Sequence, residues 1–165
     1  MYNLVLERVR LATTELRQMV EAYWLELMPH SDVAKSPENR EAYFQERFPL
    51  EMGEFHLYFA VVGGENIGFV ALRVKQMKHA AMIEDFYVVP KARRQGYGSA
   101  MVKAVYTELD QLGVELIELT VRRDTPQALA FWEAQGFRVA LHRLRQYRDP
   151  NRGIGYVGAL SSDFD

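Results

Sequence analysis

The chain contains no cysteine among its 165 residues. Without cysteine it has no disulfide framework, no thiolate nucleophile and no cysteine-ligated zinc or iron–sulfur site. Any group transfer that it performs must therefore proceed without a covalent cysteine intermediate. The absence is also typical of proteins that work in a reducing compartment, so we expect a cytoplasmic location.

Excess charge and long apolar runs are also scarce. The 20 basic and 22 acidic side chains give a net charge of -2, which provides no global attraction for nucleic acid. No run approaches the roughly 20 apolar residues that cross a bilayer, and residues 1–10 alternate apolar and polar side chains where a signal peptide would be continuously apolar. We expect no nucleic acid, no membrane and, since the four histidines show no metal-ligand spacing, no metal.

Composition and periodicity predict a mixed α/β fold in a single domain over residues 1–165. With 48% hydrophobic and 25% charged residues, the chain has an ordinary globular composition. Period-2 patterns rich in Val, Ile, Phe and Tyr predict strands, and apolar residues at helical spacing predict helices. The predicted strands are residues 4–9, 55–62, 67–74, 82–89, 116–121, 137–144 and 156–160; the predicted helices are 14–28, 36–48, one through 101–112, and 125–136.

Residues 86–100, FYVVPKARRQGYGSA, are typical of a strand, a basic turn and the start of a helix. Gly96 and Gly98 let the backbone approach a ligand closely, and the N–H groups of a first helical turn attract an anion. A dinucleotide fingerprint would need a third glycine where Met101 stands, and a P-loop would need a Gly-Lys-Ser/Thr ending. The segment therefore predicts an anion-binding turn of a different kind, Arg93-x-x-Gly96-x-Gly98.

Two segments carry a resemblance to a known family. The turn resembles the pyrophosphate loop, R/Q-x-x-G-x-G/A, of GNAT-type N-acetyltransferases, and residues 128–137, ALAFWEAQGF, resemble that family's element A-x-x-F/L-Y-x-x-x-G-F. Residues 83–88, IEDFYV, are similar to the diamine (small-amine) acetyltransferase branch. The resemblance is strong over residues 55–145. It implies the GNAT fold, a mostly antiparallel sheet of six to seven strands flanked by about four helices.

The resemblance also implies acetyl-CoA as the acetyl donor. Backbone N–H groups of the turn would hold its pyrophosphate, and the strand ending at Val88 would pair with its pantetheine arm. The residues implied in donor binding are Phe86, Tyr87, Val88, Arg93, Arg94, Gln95, Gly96, Tyr97, Gly98, Ser99, Thr125 and Trp132. Thr125 stands where the family has Asn, and Trp132 stands where it has Tyr.

Amine acetylation also needs a group that removes a proton from the acceptor. An alkyl ammonium has a pKa of about 10.4 and is almost fully protonated near neutral pH. Glu84 is the candidate base, because strand alternation places Glu84, Phe86 and Val88 on one face unless a bulge shifts the phase. Asp85 is the second candidate. The alternative interpretation is that both carboxylates only form ion pairs.

The departing thiolate must gain a proton, and the family Tyr that commonly supplies it is replaced by Trp132. An indole N–H donates a hydrogen bond but is no acid in the working pH range. We therefore expect water or a tyrosine, Tyr147, Tyr97 or Tyr156, to deliver the proton, while Trp132 packs against the donor's arm. The alternative role of Trp132 is that of a core aromatic residue.

These features together predict direct transfer of an acetyl group to a primary amine. Residues 1–65 carry 6 basic and 11 acidic side chains, whereas residues 66–165 carry 14 and 11, an asymmetry that suits a small cationic acceptor. A protein N-terminus or an amino acid is the alternative acceptor, and a non-catalytic acyl-CoA-binding module is the rival class. The family resemblance also allows a homodimer.

Overall fold

The computed structural model describes residues 3–31, 33, 36–144, 146 and 148. These residues form five strands, four α-helices and two short 3₁₀ turns at Gln76–Lys78 and Pro90–Ala92. The strands are β1 (Leu4–Val9), β2 (Phe55–Val62), β3 (Glu65–Lys75), β4 (Ala80–Val88) and β5 (Leu116–Leu119). The helices are α1 (Thr14–Leu27), α2 (Pro37–Arg47), α3 (Tyr97–Gln111) and α4 (Pro126–Ala134).

The strands form one sheet in the order β1-β2-β3-β4-β5. The pairs from β1 to β4 are antiparallel, and β5 joins β4 in parallel after the connection through α3. Gly63 and Gly64 turn the chain between β2 and β3 with φ of 58° and 80°, a conformation that glycine adopts without steric cost. The predicted meander is confirmed.

The chain divides into two compact units by its internal contacts. The first comprises Met1–Met19 and Arg47–Thr120 and contains the sheet and α3. The second comprises Val20–Glu46 and Val121–Asp165 and contains most of α1 and α2 and all of α4. The single domain expected from the sequence stays a prediction.

The core of the first unit lies between the sheet and α3. Because its apolar residues recur at helical spacing, α3 presents one apolar stripe, and it packs on β1 and β4. On α3 the almost entirely buried side chains are Met101, Val102, Val105 and Leu109, and on the sheet they are Phe55, Leu57, Phe69 and Leu72. Phe55 and Phe69 lie on the other sheet face, where each packs edge-to-face on Phe48. This packing fixes the strand, turn and helix on which the anion-binding motif lies.

The helices of the second unit begin where the sequence predicts. The hydroxyl of Thr13, directly before α1, accepts a hydrogen bond from the Leu16 N–H at 3.2 Å, and the hydroxyl of Ser36 accepts one from Asn39 at 3.3 Å before α2. The two helices meet through Trp24, whose ring lies 4.8 Å from that of Tyr43.

The described residues contain fewer strands than the six to seven predicted. Residues 137–144 form no strand, although their apolar side chains alternate. Val139 and Leu141, on the alternating face, are 60% and 68% exposed, so within the described part of the chain this face covers no core that would stabilise strand pairing. The predicted strand 156–160 lies outside the described residues.

Candidate active site

A β-bulge interrupts β4 at Glu84. Ala71 on β3 pairs with Asp85, whereas its neighbour Leu72 pairs with Ile83, so Glu84 is the extra residue with no partner across the ladder. Because Ala71 and Leu72 lie on opposite faces of β3, their partners Asp85 and Ile83 also lie on opposite faces. The bulge therefore shifts the strict alternation that the sequence predicted for β4.

An open strand edge begins at the same residue. In the described part of the chain, β5 pairs with β4 only from Ala80 to Ile83. β4 itself continues to Val88 and stays paired with β3 as far as Gly68. Beyond Ile83, no described residue of β5 forms a ladder with β4, and an edge of this kind is where an extended chain can add as a further strand.

The predicted anion-binding turn follows directly. Pro90–Ala92 forms a 3₁₀ turn, Arg94 adopts φ 63°, and Gly96 caps α3 with φ 81°. A Cβ added at Gly96 would meet no atom within 4 Å, so the space beside the turn is open. The N-terminus of α3 carries the positive end of its dipole into that space, which fits a diphosphate.

The basic side chains of the turn differ in their partners. Arg93 donates a hydrogen bond from Nε to the Val88 carbonyl oxygen at 2.8 Å, and its guanidinium lies over the Tyr87 ring at 5.5 Å. Lys91 forms an ion pair with Glu65. Arg93 therefore ties the turn to the end of β4, while the exposed Arg94 and the backbone N–H groups are left to attract an anion.

Glu84 is held by an arginine of the neighbouring strand. Arg73 on β3 donates from Nε to Glu84 Oε1 at 2.7 Å and from Nη2 to Oε2 at 3.3 Å. The third donor of Arg73, Nη1, reaches Glu54 Oε1 at 2.9 Å. Its bond to Glu84 is the main reason that the pKa of Arg73 is raised above its usual value.

A second arginine, Arg47, contacts the bulge at the backbone of Glu84 and at the side chain of Asp85. Arg47, the last residue of α2, donates from Nη2 to the Glu84 carbonyl oxygen at 3.1 Å. The same nitrogen lies 3.2 Å from Asp85 Oδ2, and Nη1 lies 3.9 Å from Glu84 Oε2. The Asp85 side chain is only 4% exposed, so its charge requires this compensation. We call Glu54, Arg73, Glu84, Arg47 and Asp85 the bulge network.

The remaining predicted site residues lie in the second unit. Thr125 precedes α4 and donates from its hydroxyl to the Arg122 carbonyl oxygen at 2.7 Å. Trp132 is 8% exposed, and its ring lies 5.0 Å from Phe131 and 5.3 Å from Phe137 in edge-to-face contacts. These contacts agree with the core interpretation of Trp132. Tyr147 and Tyr156 lie outside the described residues.

Sequence reasoning missed the arginines of the bulge network and one glycine. Arg73 interrupts the otherwise apolar run of residues 67–74 in β3, which is a signal for an ion pair. Gly68 lies inside β3, where a glycine signals close approach of a neighbouring backbone. A Cβ there would lie 2.1 Å from the Tyr87 carbonyl oxygen.

Comparison with known proteins identifies the family. A sequence model of the acetyltransferase (GNAT) family matches residues 16–137. This chain belongs to that family. It is similar to the ribosomal protein bS18-alanine N-acetyltransferase of Escherichia coli K12, with 28% identity over 103 residues that cover 62% of this chain and 69% of the relative.

Solved structures share the fold. A GNAT acetyltransferase from Elizabethkingia anophelis with acetyl-CoA bound superposes with a TM-score of 0.60 and 18% identity, covering 90% of this chain and 84% of that one. An aminoglycoside acetyltransferase from an uncultured soil metagenomic sample, in complex with sisomicin, gives a TM-score of 0.65 and 18% identity, covering 87% and 94%. The predicted GNAT fold is confirmed.

Family membership confirms the predicted enzyme class, an acetyl-CoA-dependent N-acetyltransferase of the EC 2.3.1 type. The finer resemblance to the diamine branch is not confirmed, because the curated relative acts on an alanine of a ribosomal protein. None of the described helices combines the length and apolar character that crossing a bilayer requires. Within the same residues, no group of three or more His, Asp or Glu side chains is placed to hold a metal ion.

Proposed function

We propose that this GNAT enzyme transfers acetyl from acetyl-CoA directly to a primary amine of a small cationic molecule, and that the amine reacts beside Glu84. The observation that supports the proposal is that three features follow one another along the chain: the bulge at Glu84, the open edge of β4 from Glu84 to Val88, and the glycine turn at Gly96. An acetyl donor and an amine both need to reach the point where the strand opens.

Acetyl-CoA supplies an activated acetyl thioester when it is bound. The backbone N–H groups of residues 94–99 and the dipole of α3 would hold its diphosphate, with Arg94 adding charge attraction. The open edge of β4 at Phe86–Val88 would hold the pantetheine arm by strand addition. Arg93 keeps this edge and the turn together through its bond to Val88.

Glu84 would attract the ammonium form of the acceptor and take its proton through water. An ionised carboxylate offers about four lone-pair positions, and Arg73 uses two of them, so acceptor capacity remains. The amine nitrogen bonds to the acetyl carbon as the carbon–sulfur bond breaks, and the thiolate takes a proton from water or from a tyrosine such as Tyr97 or Tyr147. Because the chain has no cysteine, the transfer is direct.

Release of the free thiol tests the proposal on a panel of polyamines, aminoglycosides and simple amines. We expect turnover on at least one cationic amine and a loss of about 10²- to 10⁴-fold in kcat/KM for Glu84→Gln. Glu118→Gln, which changes an exposed carboxylate on β5, is the matched control and should keep wild-type activity.

Two results would contradict the proposal in different ways. If Glu84→Gln keeps the wild-type kcat/KM across about pH 6 to 9, the carboxylate takes no part in proton removal. If the protein binds acetyl-CoA but releases no thiol with any amine, it is an acyl-CoA-binding module.

The N-terminal amine of a protein is the second candidate acceptor. It is favoured by the similarity to the bS18-alanine N-acetyltransferase. An α-amino group has a pKa of about 7.7 to 8.0, so it needs less help from a base than an alkyl amine. A peptide that begins with alanine, compared with the same peptide blocked at its N-terminus, distinguishes this acceptor from the small amines.

A further inference from the structure

Arg73 contacts Glu84 in a way that fixes both the position and the orientation of the carboxylate. Two parallel N–H···O bonds of 2.7 and 3.3 Å define the plane of the carboxylate as well as its distance. The Glu84 side chain is 10% exposed, so little water competes for these bonds. A single-point contact would leave the carboxylate free to rotate.

Arg73 is itself fixed from the opposite side. Its Nη1 donates to Glu54 Oε1 at 2.9 Å, and its guanidinium lies over the Phe55 ring at 5.6 Å from the ring centre. Arg73 also lies in the sheet interior, paired with Met82 on β4 and Phe55 on β2. The arginine therefore has a defined orientation before it meets Glu84.

We propose that Arg73 is a positioning residue for acetyl transfer, which holds the Glu84 carboxylate in one orientation beside the acceptor amine while Glu54 fixes Arg73. The proposal rests on the proposed function, because it gives Arg73 its effect through Glu84. It separates two tasks within the bulge network. Arg47 supports the bulge backbone and Asp85, whereas Arg73 sets the carboxylate that meets the amine.

Four charged groups surround Glu84. Arg73 faces it from β3, Arg47 approaches from α2, Asp85 follows it on β4, and Glu54 lies beyond Arg73. Loss of Arg73 removes the two-point contact that fixes the plane of the Glu84 carboxylate.

The experiment measures kcat and KM separately for Arg73→Gln and Arg73→Lys on an amine that the wild type acetylates. We expect Arg73→Gln to lose about tenfold or more in kcat with a smaller change in KM, because a misoriented base slows the reaction of an acceptor that still binds. Arg73→Lys keeps the charge but not the two-point contact, so its kcat should fall severalfold and lie between those of Arg73→Gln and the wild type.

A double variant shows whether Arg73 acts through Glu84. Arg73→Gln combined with Glu84→Gln should be no slower than Glu84→Gln alone, whereas independent roles would multiply the two losses. Arg40→Gln is the matched control: Arg40 has the same 24% side-chain exposure and pairs with Glu21 at 3.3 Å on helices of the second unit. Thermal denaturation of every variant reports folding, and Arg73→Lys carries the test if Arg73→Gln does not fold.

The outcomes separate this proposal from the proposed function. An active wild type whose Arg73 variants keep its kcat overturns the positioning role alone. Multiplied losses in the double variant, with parallel losses of thermal stability, would make Arg73 a structural residue. A wild type that turns over no amine refutes the proposed function and the positioning role together.

Discussion

Gly68→Ala tests the packing that supports the open end of β4. Gly68 lies opposite Val88 in the ladder between β3 and β4. The added Cβ would lie 2.1 Å from the Tyr87 carbonyl oxygen, 3.1 Å from the carbonyl carbon and 3.2 Å from the Val88 Cα. All three are backbone atoms, so no side-chain rotation relieves the contact and the strand itself must move.

The size of the effect follows from these distances. Carbon–oxygen contacts between strands are ordinarily about 3.3 Å or longer, so the strands must separate by roughly 1 Å at this point. Overpacking of this kind costs about 1–3 kcal/mol. For a chain of this length 1 kcal/mol corresponds to a Tm change of roughly 2–4 °C. We therefore expect a Tm lower by about 4–8 °C, and an affinity for acetyl-CoA reduced about tenfold because Tyr87 and Val88 carry the open edge.

Circular dichroism melting and calorimetric titration with acetyl-CoA measure the two effects. Gly53→Ala is the control, because a Cβ at Gly53 would meet nothing within 4 Å, and it should change stability by less than about 0.5 kcal/mol. A Gly68→Ala protein that melts with the wild type and binds acetyl-CoA as tightly would refute the steric reasoning.

The other predictions concern the turn, α4 and pH. Gly96→Ala and Gly113→Ala both place Cβ on a left-handed backbone with open surroundings, so each should lower the free energy of unfolding by about 1–2 kcal/mol. Only Gly96→Ala should also weaken acetyl-CoA binding. Equal weakening by both variants in titrations would contradict the assignment of the turn. Trp132→Phe should lower Tm while kcat stays within about threefold, because a core residue contributes to stability and not to proton transfer. A much larger loss of kcat would indicate that Trp132 takes part in acetyl transfer. The guanidinium of Arg122 donates two hydrogen bonds to Asp124 and holds the pKa of that carboxyl below its usual value. Asp124→Asn should therefore lower Tm at pH 7, and the difference should vanish as the pH falls below the usual Asp pKa of about 3.9 and through the lowered value; a difference that persists in acid would contradict the linkage.

The order of helices and strands could be predicted because each element carries its own local signal in the sequence. Ser36 and Pro37 begin α2, and Gly136 ends the turn after α4 with φ 100°, as their residue types favour. The failure at residues 137–144 has the opposite cause. Alternation shows only that one face is apolar, and a strand also needs a neighbouring strand and a surface to cover, neither of which is encoded locally.

The candidate site also combines features that a single segment of the sequence shows with contacts that no single segment shows. The spacing of Gly96 and Gly98 and the position of Glu84 before the end of a strand are visible in a single segment. The partners of Glu84 are not, since Arg73 is 11 residues away and Arg47 is 37 residues away along the chain. Glu84 is ion-paired with Arg73, and its role as the base stays a prediction.

The charge balance of the bulge network bears on the acceptor within the proposed function. The network contains three carboxylates, Glu54, Glu84 and Asp85, against two guanidinium groups, Arg47 and Arg73, which is a formal excess of one negative charge among these five side chains. One ammonium group completes the balance, whereas several closely spaced ammonium groups would exceed it. The acidic excess of residues 1–65 can attract a polycation from a distance, but this local balance favours an acceptor that brings a single charged nitrogen to Glu84. A polyamine of this kind must pair its remaining ammonium groups with other carboxylates, whereas a monoamine needs no second contact.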